Sequence, residues 1–348
     1  MRDRASALAP AAGAEITAAA DAPQSTSGAA RGRVPDFFIV GHEKCGTTAL
    51  YLMLSRHPQI FMPAMKEPRF FTPELRSRFK RLGPGNLPQT LEEYVSLFAA
   101  ARPEQLAGEA SPSYLKSSFA ARRIAEVQPG ARIIAILREP ASFLRSFHLQ
   151  AVHNHVETEK DFAKAIALEG ARRSGKRIPR FSQVPEALLY SDHVRYVEQL
   201  RRYSAAFPAA QIMVLIYDDL RADNEATARR VLRFLQVDDT VPIEASETIR
   251  LRGVRSVALL RLGLALSIAR RRTSAGGPAL KGLGRLIPNL AQGTALGGAW
   301  HRAIYAEPPP PDEAVMLELR RRFKPEVVAL SEYLGRDLVS LWGYEQIG

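Results

Sequence analysis

The 348 residues include a single cysteine, Cys45, so no disulfide can form within the chain. That scarcity suits a reducing compartment. Long apolar runs are missing as well. The longest candidate, residues 257–269, is cut by Arg261 and falls short of the ~18 residues a membrane-spanning helix needs. The opening alanines are broken by Pro10, Glu15 and Asp21, which leaves no compact apolar core for a secretion signal, and the expected location is cytoplasmic. Residues 1–33 have almost no large apolar side chains and too little to bury against the cost of ordering, so a disordered tail is expected there. The folded part should begin near Val34 and run as one domain to residue 348. Acid is also short: 36 Asp and Glu against 48 Lys and Arg leave a net charge of +12. Such an excess suits polyanionic partners without choosing among nucleotide phosphates, sulfated sugars, nucleic acid and anionic lipid.

What is present is ordinary for a folded protein, with 46% hydrophobic and 24% charged residues. Three apolar runs read as buried strands: residues 37–40, 132–137 and 211–216. Each is followed by a helical pattern, at 47–56, 141–154 and 224–235. His57-Pro58 closes the first helix, because proline disfavours helical geometry in the residue before it. Further helices are expected at 117–128 and 191–207. Continuous apolar strands alternating with helices imply an α/β fold with a central parallel sheet flanked by helices on both faces. Residues 250–311 look less regular and could form an acceptor-site subdomain. A run of prolines at 308–311 precedes a last helical pair broken at Pro325, and Trp342 should pack the C-terminal segment down.

The most informative segment is Gly41-His42-Glu43-Lys44-Cys45-Gly46-Thr47-Thr48. A loop between a strand and a helix N-terminus presents unpaired backbone N–H groups and a positive dipole end, which suits a phosphate. Lys44 adds a point charge and the threonines add donors. The spacing approaches the magnesium-binding P-loop, but the lysine precedes the second glycine where that motif places it after.

Lys44-Cys45-Gly46-Thr47-Thr48-Ala49-Leu50 closely resembles the 5′-phosphosulfate loop of sulfotransferases that use 3′-phosphoadenosine 5′-phosphosulfate (PAPS). Four further segments are similar to the bacterial and heparan-sulfate-type members: Lys66-Glu67-Pro68-Arg69-Phe70-Phe71; Glu109-Ala110-Ser111-Pro112-Ser113-Tyr114; Arg138 with Ser146; and residues 216–220 together with 335–342. Ala110 stands where the family usually has lysine. The resemblance implies a three-layer, P-loop-like sulfotransferase domain with PAPS as co-substrate and no metal required. It implies a small-molecule or carbohydrate acceptor, and no nucleic acid. It assigns Lys44 to the leaving group and Glu67 to the catalytic base. Lys44, Cys45, Gly46, Thr47 and Thr48 would hold the 5′-phosphate, Arg138 and Ser146 the 3′-phosphate, and Tyr190 would lie near the adenosine.

Other readings stay open beside these. Glu67 could instead form an ion pair with Lys66 or Arg69, and Arg138 with Glu139 or Asp192. Glu109 is a second candidate base. His148, His153 and His155 lie on or just past the helix after Arg138, but their spacing fits neither catalysis beside Ser146 nor a metal pair. The helix N-terminus and Lys44 should lower the Cys45 pKa and make it sensitive to alkylation. The rival classes are a nucleotide kinase-like phosphotransferase, with residues 212–218 as its magnesium-holding strand, and a non-catalytic binder of anionic membrane or nucleic acid through residues 250–285. Peripheral membrane contact is the less favoured reading of that basic stretch.

Overall fold

Strand β1, Phe37–Gly41, is buried along its whole length. Its apolar run belongs at the centre of a sheet covered on both faces, and that is its position. In the computed structural model, five parallel strands run in the order β2-β3-β1-β4-β5. They are β2 Ile60–Phe61, β3 Leu106–Ala110, β4 Arg132–Leu137 and β5 Ile212–Ile216, with β1 between β3 and β4. Ile39 pairs with Ala110 on one side and Ile134 on the other. The structure describes residues 33–75, 87–179, 182, 184–244, 253–274 and 295–348. The expected disordered tail lies almost wholly outside them. All the described residues fall in the compact unit Gly32–Gly348.

The helices that follow the strands are α1 Thr47–Ser55, α2 Leu91–Ser96, α3 Ala120–Val127, α4 Pro140–His153, α5 Phe162–Ala167, α6 Glu169–Arg173, α7 Tyr190–His193, α8 Tyr196–Ser204, α9 Tyr217–Ala222, α10 Asn224–Leu235 and α11 Val257–Ser274. The parallel α/β architecture is the expected one. No helix among the described residues is long and apolar enough to cross a membrane.

Several details differ from the sequence reading. The helix expected over 191–207 is two helices, broken at Arg195, whose ψ of 59° is not helical. The Gln199 amide donates to the Asp192 and His193 carbonyls at 3.0 and 3.1 Å, satisfying groups the break would orphan. Residues 217–222, for which no element was expected, form α9. The helix expected to break at Pro325 spans Glu313–Leu334 and runs unbroken through it, with a short helix Leu338–Leu341 after it. Met316, Leu319, Phe323, Val327 and Leu330 form its buried stripe, while Pro325 is exposed and the bond it forfeits faces water. Within 250–311, α11 and a helix at Ala295–Ile304 are regular, and Gly253–Val254 pairs with Tyr305–Ala306. Residues 275–294, including most of the basic stretch beyond α11, lie outside the described residues.

Strand β3 escaped sequence reading because Leu-Ala-Gly-Glu-Ala carries no β-branched or aromatic residue. Its Gly108 is required by packing: a Cβ there would sit 2.1 Å from Phe37 Cζ and 2.5 Å from Met62 Sδ. Removing that side chain lets β3 lie against β1, which places Glu109 beside the C-terminal end of the sheet.

Candidate active site

The loop after β1 is fixed at both ends. His42 N–H donates to the Ile136 carbonyl at 2.7 Å, tying the loop to β4. Gly46 caps α1 with φ 87°, and a Cβ there would meet Leu220 of α9 at 2.6 Å. Only glycine combines that backbone with that proximity. No side chain caps the N-terminus of α1, so its first N–H groups remain available to an anion, as a phosphate loop requires. Lys44 also takes a left-handed backbone, φ 62°. Thr47 is buried, Thr48 and Lys44 half-buried. Burial and the neighbouring Arg138 cation both lower the Lys44 pKa.

Arg138 leaves β4 and lies against this loop. Its Nη1 donates to the Lys44 carbonyl at 3.2 Å, and its guanidinium carbon is 4.6 Å from the centre of the Tyr217 ring. Neither expected alternative partner holds it. Glu139 instead caps α4, accepting from the Ala141 and Ser142 N–H groups, and Asp192 pairs with Arg173 at 2.9 Å. Ser146 is two turns into α4 and half-buried.

The C-terminal segment braces these residues. Trp342 Nε1 donates to Asp218 at 2.9 Å, and Arg336 forks onto Asp219 at 2.6 and 2.7 Å. The Tyr344 hydroxyl donates to Glu139. Asp218 and Asp219 follow Tyr217, and Glu139 follows Arg138, so the brace acts next to the groups that flank the loop. Asp218, the residue a kinase-like reading would give to magnesium, is occupied by Trp342.

Glu67 reaches the site from the segment after β2. Its N–H donates to the Ala110 carbonyl at 3.1 Å. Phe71, next along, is buried edge-on to Phe38, Tyr94 and Tyr114, and Phe70 stacks on Tyr94 at 4.5 Å. The aromatic pair thus anchors the segment to the core. Glu67 pairs with both Lys66 at 2.8 Å and Arg69 at 2.6 Å, and its side chain is 28% exposed. Burial pushes its carboxyl up, but Arg69 and Lys66 together outweigh burial and hold it below the usual range. The ion pair foreseen as an alternative to the catalytic role is therefore present.

Glu109 is fully buried and accepts from the Tyr94 and Tyr114 hydroxyls at 2.7 and 2.9 Å. Burial raises its carboxyl to about 7 despite those bonds. Its folded value lies above the unfolded one, so its stabilising effect is complete below about 4.5 and is lost as pH rises through about 7. Ionising it in place costs about 3 kcal/mol. Glu109→Gln is expected to melt higher than the wild type at pH 8 and to lose that advantage at pH 4. Thermal unfolding at the two pH values measures this.

One expectation is corrected by burial. Cys45 has no exposed surface, and desolvation raises its thiol to about 12, overriding the Arg138 and Lys44 charges that lower it. Native protein is expected to resist iodoacetamide at pH 8 and to react only when unfolded; mass spectrometry under both conditions reads this. Tyr190, placed near the adenosine by resemblance, is fully buried. Its hydroxyl meets His148 Nδ1 at 2.8 Å and Glu157 at 3.3 Å, and its ring packs on Phe147 and Phe162. The structure commits it to that inner cluster, alongside His148, whose Nε2 bonds the Lys160 carbonyl at 3.0 Å. His153 stacks on Tyr305 at 5.0 Å. No group of histidine, cysteine and carboxylate side chains suited to a metal ion occurs among the described residues.

Sequence reasoning singled out Lys44, Glu67 and Arg138 but missed Glu43 and Tyr217. Glu43 is adjacent to Lys44, yet its role depends on Arg69 Nη2, 3.9 Å from Glu43 Oε1. Nothing in local spacing announces that meeting.

A strand–loop–helix phosphate cradle with its lysine ahead of the glycine, a strand-end arginine beside it, and a glutamate brought in from the next segment define a sulfuryl-transfer site more closely than a phosphoryl-transfer one. The family comparison agrees: the model described as "Sulfotransferase family" matches residues 35–241, and the chain belongs to that family. It is 27% identical over 210 residues to human bifunctional heparan sulfate N-deacetylase/N-sulfotransferase 3, covering 59% of this chain and 22% of that one. It is 26% identical over 257 residues to human carbohydrate sulfotransferase 15, covering 59% of this chain and 44% of that one. The chain thus spans less than half the length of these curated relatives. Among solved structures, a sulfotransferase from Alicyclobacillus acidocaldarius superposes with a TM-score of 0.60 at 25% identity, covering 88% of this chain and 98% of that one.

Proposed function

We propose that the chain transfers the sulfuryl group of PAPS to a hydroxyl, or an amine, on a carbohydrate or glycolipid acceptor. The observation that carries this reading is the uncapped N-terminus of α1 behind Lys44, with Arg138 held against the same loop by its bond to the Lys44 carbonyl. Gly46, Thr47 and Thr48 would receive the 5′-phosphate and Arg138 with Ser146 the 3′-phosphate. A guanidinium fork suits a phosphate monoester. The donor's bridging S–O bond breaks as the acceptor oxygen or nitrogen bonds to sulfur. Charge grows on the leaving phosphate oxygen, where Lys44 and the α1 N–H groups stabilise it. The acceptor's proton passes to Glu67, which acts as general base. The carbohydrate part of the proposal is supported by the names of the curated relatives. The proposal places the reaction in the cytoplasm, which a single buried cysteine suits.

A thermal shift with 3′,5′-adenosine bisphosphate (PAP), set against ATP with magnesium, tests the nucleotide. At ~100 times its Kd, PAP adds ~2.7 kcal/mol of stability. A clear rise with PAP and none with ATP is expected; the reverse result would hand the site to phosphoryl transfer. Radiolabel transfer from PAPS to desulfated heparin oligosaccharides then tests the acceptor class.

A further inference from the structure

Glu67 and Arg69 both occupy left-handed backbone, at φ 61° and 51°. Such a backbone is strained for a non-glycine residue and persists where its surroundings hold it. Glu67 N–H is bound by the Ala110 carbonyl at 3.1 Å, and Arg69 N–H by Ser111 Oγ at 3.1 Å. The end of β3 and the residue after it therefore fix both backbones. The consequence is an unusual sharing. One guanidinium nitrogen, Arg69 Nη2, lies 2.6 Å from Glu67 Oε2 and 3.9 Å from Glu43 Oε1. Glu43 immediately precedes Lys44, so this nitrogen joins the acceptor-side glutamate to the donor-side loop. Lys66 takes the other Glu67 oxygen at 2.8 Å.

A carboxylate with both oxygens engaged by cations is a poor acceptor of another proton. For Glu67 to act as a base, one cation must give way, and Arg69 is the one whose guanidinium nitrogen already lies between two carboxylates. Lys66 pairs with Glu67 at 2.8 Å, and Arg69 Nη2 reaches Glu43 at 3.9 Å.

We propose that Arg69 is a positioning residue for the transfer: it holds the Glu67 carboxylate in place beside the Lys44 loop and, by moving toward Glu43 when the acceptor binds, frees one Glu67 oxygen to take the acceptor's proton. The proposal deepens the reading of Glu67 as base and rests on it. No covalent bond of Arg69 changes; the proton travels from the acceptor atom to Glu67, and the guanidinium stays charged throughout.

The charges around the pair set the direction of each test. Lys66 and Arg69 face Glu67 from its own segment, Glu43 from the loop after β1, and Glu109 from β3. Lys44 faces Glu43 and Lys66, Lys116 faces Glu43, and Tyr114 faces Arg69. Removing the Arg69 charge leaves burial opposed by Lys66 alone, so Glu67 titrates higher. Removing the Glu43 charge takes away a repulsion and Arg69's second partner, so Glu67 titrates lower still. The acid limb of the pH–rate profile must follow it in each direction.

The experiment follows the Glu67 carboxyl by ¹³C NMR in uniformly Glu-labelled protein, with Glu67→Gln to assign its signal. The wild type, Arg69→Met, Arg69→Lys and Glu43→Gln are titrated and their PAP thermal shifts recorded. The expected result is an upward move in Arg69→Met, a downward move in Glu43→Gln and a wild-type-like curve in Arg69→Lys, which keeps the fold and the charge. With desulfated heparin oligosaccharides as the probe acceptor, Arg69→Met should lose up to ~10²-fold in kcat through misplacement of the base, with the KM for PAPS unchanged. An Arg69 that acted by its charge alone would move the Glu67 titration in Arg69→Met yet leave the kcat of Glu43→Gln at the wild-type value, because nothing would then depend on the second carboxylate. A PAP shift in the wild type with Glu67 titrating identically in all four proteins overturns the role of Arg69 and leaves the sulfotransferase reading standing. No PAP shift in the wild type overturns both.

Discussion

Glu67→Gln is expected to lower the turnover of sulfuryl transfer by ~10²–10⁴-fold, the usual worth of a general base, while PAP continues to raise the melting temperature. The substitution keeps size and shape but leaves no group to accept the acceptor's proton. Its structural cost is small, because the Glu67 pairs with Lys66 and Arg69 are partly exposed and such ion pairs contribute little to stability. Initial rates with radiolabelled PAPS measure the effect. A loss under tenfold would move the base to Glu109, whose carboxyl is already poised near neutrality.

Lys44→Ala acts on the other reactant. Losing one preorganised charge from the developing oxyanion costs ~10²–10³-fold in rate, and the PAP shift should shrink as well if the 5′-phosphate binds as proposed. Lys44 sits at φ 62°, so Lys44→Asn is the better partner experiment. Asparagine tolerates left-handed backbone, and equal losses in the two variants would assign the effect to charge rather than strain. Turnover preserved in Lys44→Asn would show that the α1 N–H groups and Arg138 suffice.

The phosphate loop was legible because its chemistry is local. Glycine, lysine and threonine at fixed spacing between an apolar run and a helix pattern declare themselves without any tertiary knowledge. Strands β1, β4 and β5 were equally plain, being continuous apolar runs. Strand β3 was not, since its Gly108 and alanines are chosen for the Phe37 ring they meet rather than for strand propensity. The same limit applied to the site. Arg138 stood out at a strand end, but its Tyr217 contact depends on α9, a helix absent from the sequence reading. Glu43 and Arg69 lie 26 positions apart in the sequence and matter only because β3 draws their two segments together. Cys45 shows the converse: residue type suggested reactivity, and burial decided otherwise.

The position of β1 has a kinetic meaning. It is the first strand in the chain and the middle strand of the sheet, paired on both sides with strands that come far later in the sequence. The loop cannot acquire its shape until β4 is in place, because the Ile136 carbonyl anchors His42. Closing such long loops precedes any reward from them, and parallel pairing of this kind folds slowly. The phosphate cradle is thus among the last features to mature during folding, although its residues are among the first of the folded region to be made. A nucleotide that needs the finished cradle finds nothing to hold in the folding transition state, so it prolongs the life of the folded protein by slowing its unfolding, without hastening its formation.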